Sequence, residues 1–287
     1  MAWGNKNVAS IPYSTAWGTD NTVTGNAGTV WGIDNAVSGY IATGWGTENV
    51  ASGAYSTVWG EDNTASAAHA TAWGSDNTAS GSTATAWGDN NTAQGAYSTA
   101  FGQGSRASST FSTAWGNGNT ASNNGATAWG QDNTASKYLS TTWGKDNAAS
   151  GNLSTTFGAN NTATGYGATV WGLYGEAPSY FETTRGLYPT IYAAANAGAV
   201  DPADRLLTIG NGTSDSTRSN ALTIYKDGRM RINEAYEMPI VDGDSGQVMA
   251  TDGSGVVTWA DAAVADDLGN HTATQNVQLS NHWISND

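Results

Sequence analysis

The stretch that decides the fold reads Ser14-Thr15-Ala16-Trp17-Gly18-Thr19-Asp20-Asn21-Thr22-Val23-Thr24-Gly25. An aromatic residue at the position of Trp17 returns every 14 residues, from Trp3 to Trp171, without an insertion. Gly follows each of these 13 aromatic residues, and Thr stands two residues before each one from Trp17 onward. Chance does not keep so many copies in register, so the chain contains an internal repeat with a period of 14.

This period indicates a β-solenoid, because helix–turn–helix repeats need about 34 residues. One coil would contain two short strands and two turns. Thr15-Ala16-Trp17 alternates between two faces as a strand does. Gly18 permits a tight turn, and Asp20-Asn21 is typical of turns. Thr22-Val23-Thr24 would form the second strand, so we predict an all-β fold of parallel coils.

The alternation also predicts which side chains lie inside the coil. The position of Ala16 holds only Ala, Val, Gly or Thr in every repeat, and the position of Val23 holds only Ala or Val. These small residues fit the narrow interior. Thr15 and Trp17 then face outward, and the aromatic rings form a column with one ring per coil, spaced by about 4.8 Å.

An exposed column of indoles would make a large adhesive patch on a single chain. We therefore predict that the column is buried between three copies of the chain. The predicted trimer-interface residues are Trp17, Trp31, Trp45, Trp59, Trp73, Trp87, Phe101, Trp115, Trp129, Trp143, Phe157 and Trp171. The alternative is an exposed aromatic rail that stacks on sugar rings.

The motif resembles a known family. Ser14-Thr15-Ala16-Trp17-Gly18 followed by Thr22-Val23-Thr24-Gly25 is similar to the YadA-like head repeat of trimeric autotransporter adhesins. The resemblance covers about residues 1–175 and implies a left-handed parallel β-roll that is obligately trimeric. Trp17 stands where that family has an aliphatic residue.

Four segments are expected. Residues 1–175 form the repeat domain, and residues 176–204 a cap or connector. Residues 205–240 form a small β module, with a hairpin around Asp227-Gly228. Residues 241–287 form a C-terminal β or linker module that we expect to be truncated. The last two modules resemble those of Bacteroidota surface proteins and of phage or injection-system tail fibres.

Charge and composition exclude several classes of partner. The net charge is -14, with 10 basic against 24 acidic residues, so neither nucleic acid nor an anionic membrane is an expected ligand. No stretch is apolar enough to insert into a membrane. The absence of Cys excludes disulfides and thiol catalysis.

Residues suited to catalysis are sparse, and we predict no enzyme, metal or cofactor. His69, His271 and His282 lack the spacing of a metal site, and no Ser–His–Asp arrangement stands out. An acidic column lies at one turn, but Asn90 and Gly104 interrupt it, which favours turn-forming residues over a calcium site.

The variable positions of the second turn are the candidates for recognition, because turn tips project from a rod and Tyr is common in binding loops. They are Tyr40, Tyr55, Tyr97, Phe111, Tyr138 and Tyr166. The alternative is that these side chains cover the seam between neighbouring protomers.

The expected function is a non-enzymatic, homotrimeric fibre or adhesin segment. It would lie outside the cell, on a bacterial surface or on a phage or injection-system particle, and bind a glycan or protein receptor. A carbohydrate-binding solenoid is the first alternative. An ice-binding solenoid is the lesser one, because outward Thr22-x-Thr24 pairs recur, although Val8, Ala36 and Val50 replace the first Thr.

Overall fold

The computed structural model describes residues 1–262, 277–279 and 282–284. It confirms the predicted all-β solenoid with 14-residue coils. Each coil contributes a long strand to one parallel sheet and a two-residue strand to a second parallel sheet. No helix among the described residues has the length and apolarity needed to cross a membrane.

The strands are numbered in chain order. The long strands of the coils are β1 (Ala2–Asn5), β3 (Thr15–Thr19), β5 (Thr29–Ile33), β7 (Thr43–Thr47), β9 (Thr57–Glu61), β11 (Thr71–Ser75), β13 (Thr85–Asp89), β15 (Thr99–Gln103), β17 (Thr113–Asn117), β19 (Thr127–Gln131), β21 (Thr141–Lys145), β23 (Thr155–Ala159), β25 (Thr169–Leu173) and β27 (Thr183–Leu187). The short strands are β2 (Val8–Ala9), β4 (Thr22–Val23), β6 (Ala36–Val37), β8 (Val50–Ala51), β10 (Thr64–Ala65), β12 (Thr78–Ala79), β14 (Thr92–Ala93), β16 (Arg106–Ala107), β18 (Thr120–Ala121), β20 (Thr134–Ala135), β22 (Ala148–Ala149), β24 (Thr162–Ala163) and β26 (Glu176–Ala177).

The core between the two sheets is thin and made of small side chains. Ala16 and Val23 are 1% and 0% exposed, and their equivalents in the later coils are as deeply buried, whereas Ala2 is exposed and Ala9 half-buried at the open first coil. This confirms the predicted inward positions. Two flat sheets lie close enough for Ala and Val to fill the space, because no large side chain points inward from either sheet in the regular coils.

A ladder of buried Asn side chains runs along one corner of the coil. Asn35 Oδ1 accepts hydrogen bonds from the backbone N–H and the side-chain amide of Asn49, at 3.0 Å each. The amide of Asn49 also donates to the carbonyl oxygens of Gly60 and Trp45. Sequence reasoning assigned this position only to a turn. The sequence feature that could have revealed the ladder is the Asn at this position in nearly every repeat, with Ser105 as an exception.

The Gly after each aromatic residue is required by close stacking of the coils. Gly18 has φ of +121°, and a Cβ placed there would lie 2.0 Å from the carbonyl oxygen of Gly32. A side chain is therefore excluded by both the backbone conformation and the distance.

The solenoid continues past residue 175, where we expected the repeat domain to end. Strands β26 and β27 keep the register, with Trp171 opposite Arg185. The last coil is nevertheless specialised, because Glu182 stands where the other coils have Ser, Ala or Gly. Its carboxylate is buried and accepts hydrogen bonds from the Ser179 N–H at 3.1 Å and the Tyr192 hydroxyl at 2.9 Å.

An antiparallel meander extends the long-strand sheet beyond the last coil. Strand β28 (Arg205–Asn211) pairs with β27 in parallel, and β29 (Asn220–Tyr225), β30 (Met230–Ile232) and β31 (Tyr236–Met238) follow in antiparallel order. A 3₁₀ turn, Asp215–Thr217, lies between β28 and β29. The hairpin predicted around Asp227-Gly228 is present between β29 and β30.

Two separate hairpins complete the described chain. Strands β32 (Gln247–Thr251) and β33 (Val257–Asp261) form the first, and β34 (Val277–Leu279) and β35 (His282–Ile284) form the second. His271 and the rest of the expected C-terminal module lie outside the described residues.

Candidate binding faces of the solenoid

The aromatic column forms the centre of one flat face, which we call the Trp face. Its ring centroids are 4.5 to 5.5 Å apart from Trp3 to Trp171. Neighbouring indoles from Trp17 to Trp87 are nearly parallel, with interplanar angles of 5° to 11°. The Trp side chains remain 38% to 55% exposed on the single chain.

A second column on the Trp face consists of Thr alone. It begins at Thr15 and ends at Thr183, one residue per coil. Phe101 is smaller than its indole neighbours, and an apolar recess of about 290 Å³ opens there between Trp87 and Trp115. The face is therefore regular, and these two columns carry no charge from Thr15 to Trp171; the third outward column, on the other side of the rings, includes the exposed Glu61, Asp89 and Lys145.

The Trp face continues past the last coil as an apolar surface of the meander. Arg185 occupies the place of the aromatic residue in β27 and pairs with Ile209, and Ile209 pairs with Leu222. The same cross-strand row continues to Ile232 and Tyr236. Directly paired residues share one side of a sheet, so all of these side chains extend the same face. Sequence reasoning treated this segment as a separate module and missed the continuity.

Arg185 is the one charged residue in this central row. Its guanidinium carbon lies 5.2 Å from the ring centroid of Trp171, a cation–π contact that ends the aromatic column. A recess of about 450 Å³ opens beside it, lined by Thr183, Leu206, Leu207, Ile209 and Ile224.

The opposite face is formed by the short strands and carries hydroxyl groups; we call it the hydroxyl face. Pairs such as Thr64 and Ser66 or Thr78 and Ser80 point outward from successive coils. The first column of hydroxyls is already interrupted at Val8, Ala36 and Val50. Both columns are broken in the middle of the solenoid, where Arg106 Nη2 donates to Gln94 Oε1 at 2.6 Å across the face.

The predicted recognition residues lie along the second turn. Tyr55, Tyr97 and Phe111 adopt left-handed φ values of 56° to 60°, which project their rings from the rod. Tyr97 stacks on Phe111 at 5.2 Å, and Tyr55 stacks on His69 at 4.9 Å. Such backbone conformations are uncommon for bulky residues.

The six candidates do not share one environment. Tyr40 and Tyr138 sit one residue earlier in the turn and are each 49% exposed. Tyr166 is half-buried against Tyr180 and Phe181 of the last coil, with centroid distances of 5.5 and 5.7 Å. Tyr166 therefore packs the end of the solenoid, whereas the other five remain available at the surface.

The acidic column lies at the first turn, on the other edge of the coil. Asp20, Asp34 and Glu48 hold left-handed turn positions, with φ of 56° each. The pKa of the Glu48 carboxyl is raised, mainly because the neighbouring Asp62 repels its negative charge. Within the described residues, no three acidic or His side chains converge as a metal site would need.

Comparison with protein families finds a similarity over the first part of the chain. The sequence model of the family described as the grass antifreeze beta roll matches residues 2–88. These residues are the first six coils and the beginning of the seventh, less than a third of the chain. No curated protein matches the chain. The resemblance to YadA-like head repeats stays a prediction, and what is common to both families is the β-solenoid.

Proposed function

We propose that this chain is a non-enzymatic segment of an extracellular homotrimeric fibre, in which the Trp faces of three copies pack around a common axis. The observation that supports the proposal is the unbroken exposed aromatic column. Its rings expose roughly 1,000 Å² in total, whereas the largest apolar patch of a typical monomer is about 300 to 600 Å².

A second copy of the chain is the partner that matches this column. Each coil presents one ring, so another column with the same 14-residue period meets it layer by layer along the whole rod. The buried area would exceed the roughly 800 Å² per partner of a standard stable interface. Threefold symmetry brings three rings together in each layer and leaves the hydroxyl faces outward.

The fibre would present its turns to a glycan or protein receptor, as an adhesin or tail fibre does. Five exposed rings, Tyr40, Tyr55, Tyr97, Phe111 and Tyr138, are suited to this role, because they project from the rod and carry apolar area with few rotatable bonds. Loss of adhesion on combined substitution of Tyr55, Tyr97 and Tyr138 is the expected result, and unchanged adhesion would contradict it.

The molar mass of the purified chain in solution, measured by light scattering, tests the trimer. We expect three times the monomer mass of 29.5 kDa, together with blue-shifted Trp emission. A dimer mass would exclude the threefold arrangement. A monomer with emission quenched by soluble glycans would instead favour the carbohydrate-binding rail.

Ice binding is the second candidate, and the family similarity over residues 2–88 favours it. Within those residues the hydroxyl face carries an unbroken outward column from Ser10 to Ser80. The match ends before Gln94 and Arg106, where a long cationic side chain interrupts the flat surface. Both functions are compatible, since a trimer built on the Trp faces leaves the hydroxyl faces free.

Thermal hysteresis of the purified chain tests this second candidate. We expect a freezing-point depression that is lost when Thr64 and Thr78 are both changed to Lys, because bulky charged side chains destroy the flat array. The matched control changes Thr120 and Thr134 to Lys, beyond the region of similarity, and should retain activity. Absence of hysteresis in the unaltered chain would refute ice binding and leave the fibre proposal unaffected.

A further inference from the structure

Arg185 breaks a row of apolar side chains at a defined point. It follows Trp171 and precedes Ile209 in the register of the long-strand sheet. The row continues through Leu222 and Ile232 without another charge. A cation placed alone in an interface is costly unless it is paired.

No carboxylate in the described part of the chain neutralises this cation. Among the described residues, none lies within 4.0 Å of the Arg185 side chain, although six other ion pairs meet that distance. The outward neighbours on the Trp face are uncharged: Thr183, Leu187, Leu173 and Leu207. The guanidinium rests on the Trp171 ring, and its N–H groups donate to no acceptor among the described residues.

In the proposed trimer, symmetry would bring three unpaired Arg185 charges to the same level. Each copy contributes the same Trp face, so a partner copy brings another Arg185 and no carboxylate at this level. Three guanidinium groups would then meet around the axis, where their mutual repulsion is weakly screened because the surrounding side chains exclude water. No described residue supplies their countercharge at this level of the rod, which leaves room for a bound anion.

We propose that the three Arg185 side chains of the trimer bind one tetrahedral oxyanion, phosphate or sulfate, on the trimer axis. The inference rests on the proposed function. Planar guanidinium groups donate paired hydrogen bonds to such oxygens, and threefold symmetry matches three of the four oxygens of the ion. The recess beside Arg185 supplies space, and Thr183 supplies a hydroxyl donor at its edge.

Equilibrium dialysis of the full chain against radiolabelled sulfate, at constant ionic strength, measures this site directly. We expect saturable binding of one sulfate per three chains, with competition by phosphate. Arg185→Gln should weaken binding at least tenfold while the trimer mass is kept. Arg106→Gln, which removes a cation from the hydroxyl face, is the matched control and should bind as the unaltered chain does.

The outcomes separate the two proposals. A trimer that binds no sulfate, or that binds it equally after Arg185→Gln, overturns the anion site and leaves the trimer intact. One sulfate per chain overturns the axial geometry. A monomeric mass overturns the proposed trimer and the axial site with it. Thermal unfolding adds a second readout, since sulfate stabilises most proteins without saturation, whereas the site requires a saturable shift that Arg185→Gln abolishes.

Discussion

At the scale of single residues, the Asn ladder explains how a core made of Ala can hold its coils in register. The buried amides bond to the backbone of the next coil, as Asn35 does to Gly46, and most also bond to the aromatic residue's carbonyl in their own coil, as Asn49 does to Trp45, so a slipped coil would leave several polar groups unpaired. Ser105 is the one gap between Asn91 and Asn119; its hydroxyl reaches the Gly116 carbonyl but offers no amide oxygen to Asn119.

Completing the ladder should stabilise the protein. Ser105→Asn is expected to raise the free energy of unfolding by about 1 kcal/mol, because the new amide can accept the unpaired Asn119 N–H. Asn77→Ser, which opens a second gap, should lower it by a similar amount. Urea unfolding followed by circular dichroism measures both variants. A destabilising Ser105→Asn would show that the gap is required by packing.

The buried Glu182 predicts a pH dependence of the cap. Burial, the largest cause, raises the pKa of this carboxyl. Tyr192 donates to it, Lys226 Nζ donates to the neighbouring Ser179 hydroxyl at 2.7 Å, and Arg205 lies nearby. Because the pKa is higher in the folded than in the unfolded chain, the protonated carboxyl stabilises the cap at low pH. This contribution is lost as pH rises through the folded-state pKa.

Glu182→Gln should therefore stabilise the chain increasingly as pH rises from about 4 to about 8. The amide keeps an acceptor for the Ser179 N–H and the Tyr192 hydroxyl but carries no charge to bury. Thermal unfolding across this range is the measurement, with Glu176→Gln on the hydroxyl face as the control. If the difference in unfolding temperature between Glu182→Gln and the unaltered chain stayed constant across this pH range, the raised pKa of Glu182 would be contradicted.

At the scale of the coil, two glycines in different surroundings should respond differently to substitution. Gly74 lies inside a coil at φ of +113°, and a Cβ there would lie 2.1 Å from the Gly88 carbonyl oxygen. Gly104 lies at a turn with φ of +62°, and nothing stands within 4 Å of its Cβ position. Most other coils have Asp or Asn at the equivalent of Gly104.

Gly74→Ala should destabilise the solenoid by about 3 kcal/mol, because the strain and the clash add. Gly104→Asn should change the free energy of unfolding by less than about 0.5 kcal/mol, since Asn tolerates this conformation. Chemical unfolding of the two variants compares them directly. If both variants lost the same free energy of unfolding, the spacing between coils would not be what limits side-chain size.

At the scale of the whole molecule, the two faces of the rod differ in chemistry, and this difference organises the proposed assembly. The Trp face carries an aromatic column along the coils, and its apolar row continues across the meander through Ile209 and Ile232. The hydroxyl face offers short polar side chains. In the proposed trimer, association through the first face and exposure of the second would gain free energy by removing apolar area from water.

A charge placed in the aromatic column should prevent assembly. Trp73→Lys would bring three ammonium groups together in one layer of the trimer, and the expected light-scattering mass falls from three chains to one. Thr78→Lys places the same charge on the hydroxyl face of the same coil and should leave the mass unchanged. A trimer that tolerates Trp73→Lys would place the interface elsewhere.

The period of 14 and the alternation around Ala16, Trp17 and Val23 determined by themselves the β-solenoid, its two faces and the outward aromatic column. They sufficed because every coil repeats the same local interactions with its neighbour. Only the tertiary structure decided where the solenoid ends and what continues its faces. Arg185 joins the aromatic column, and Arg218 donates across 44 residues to the Tyr174 carbonyl, through contacts that no repeat encodes.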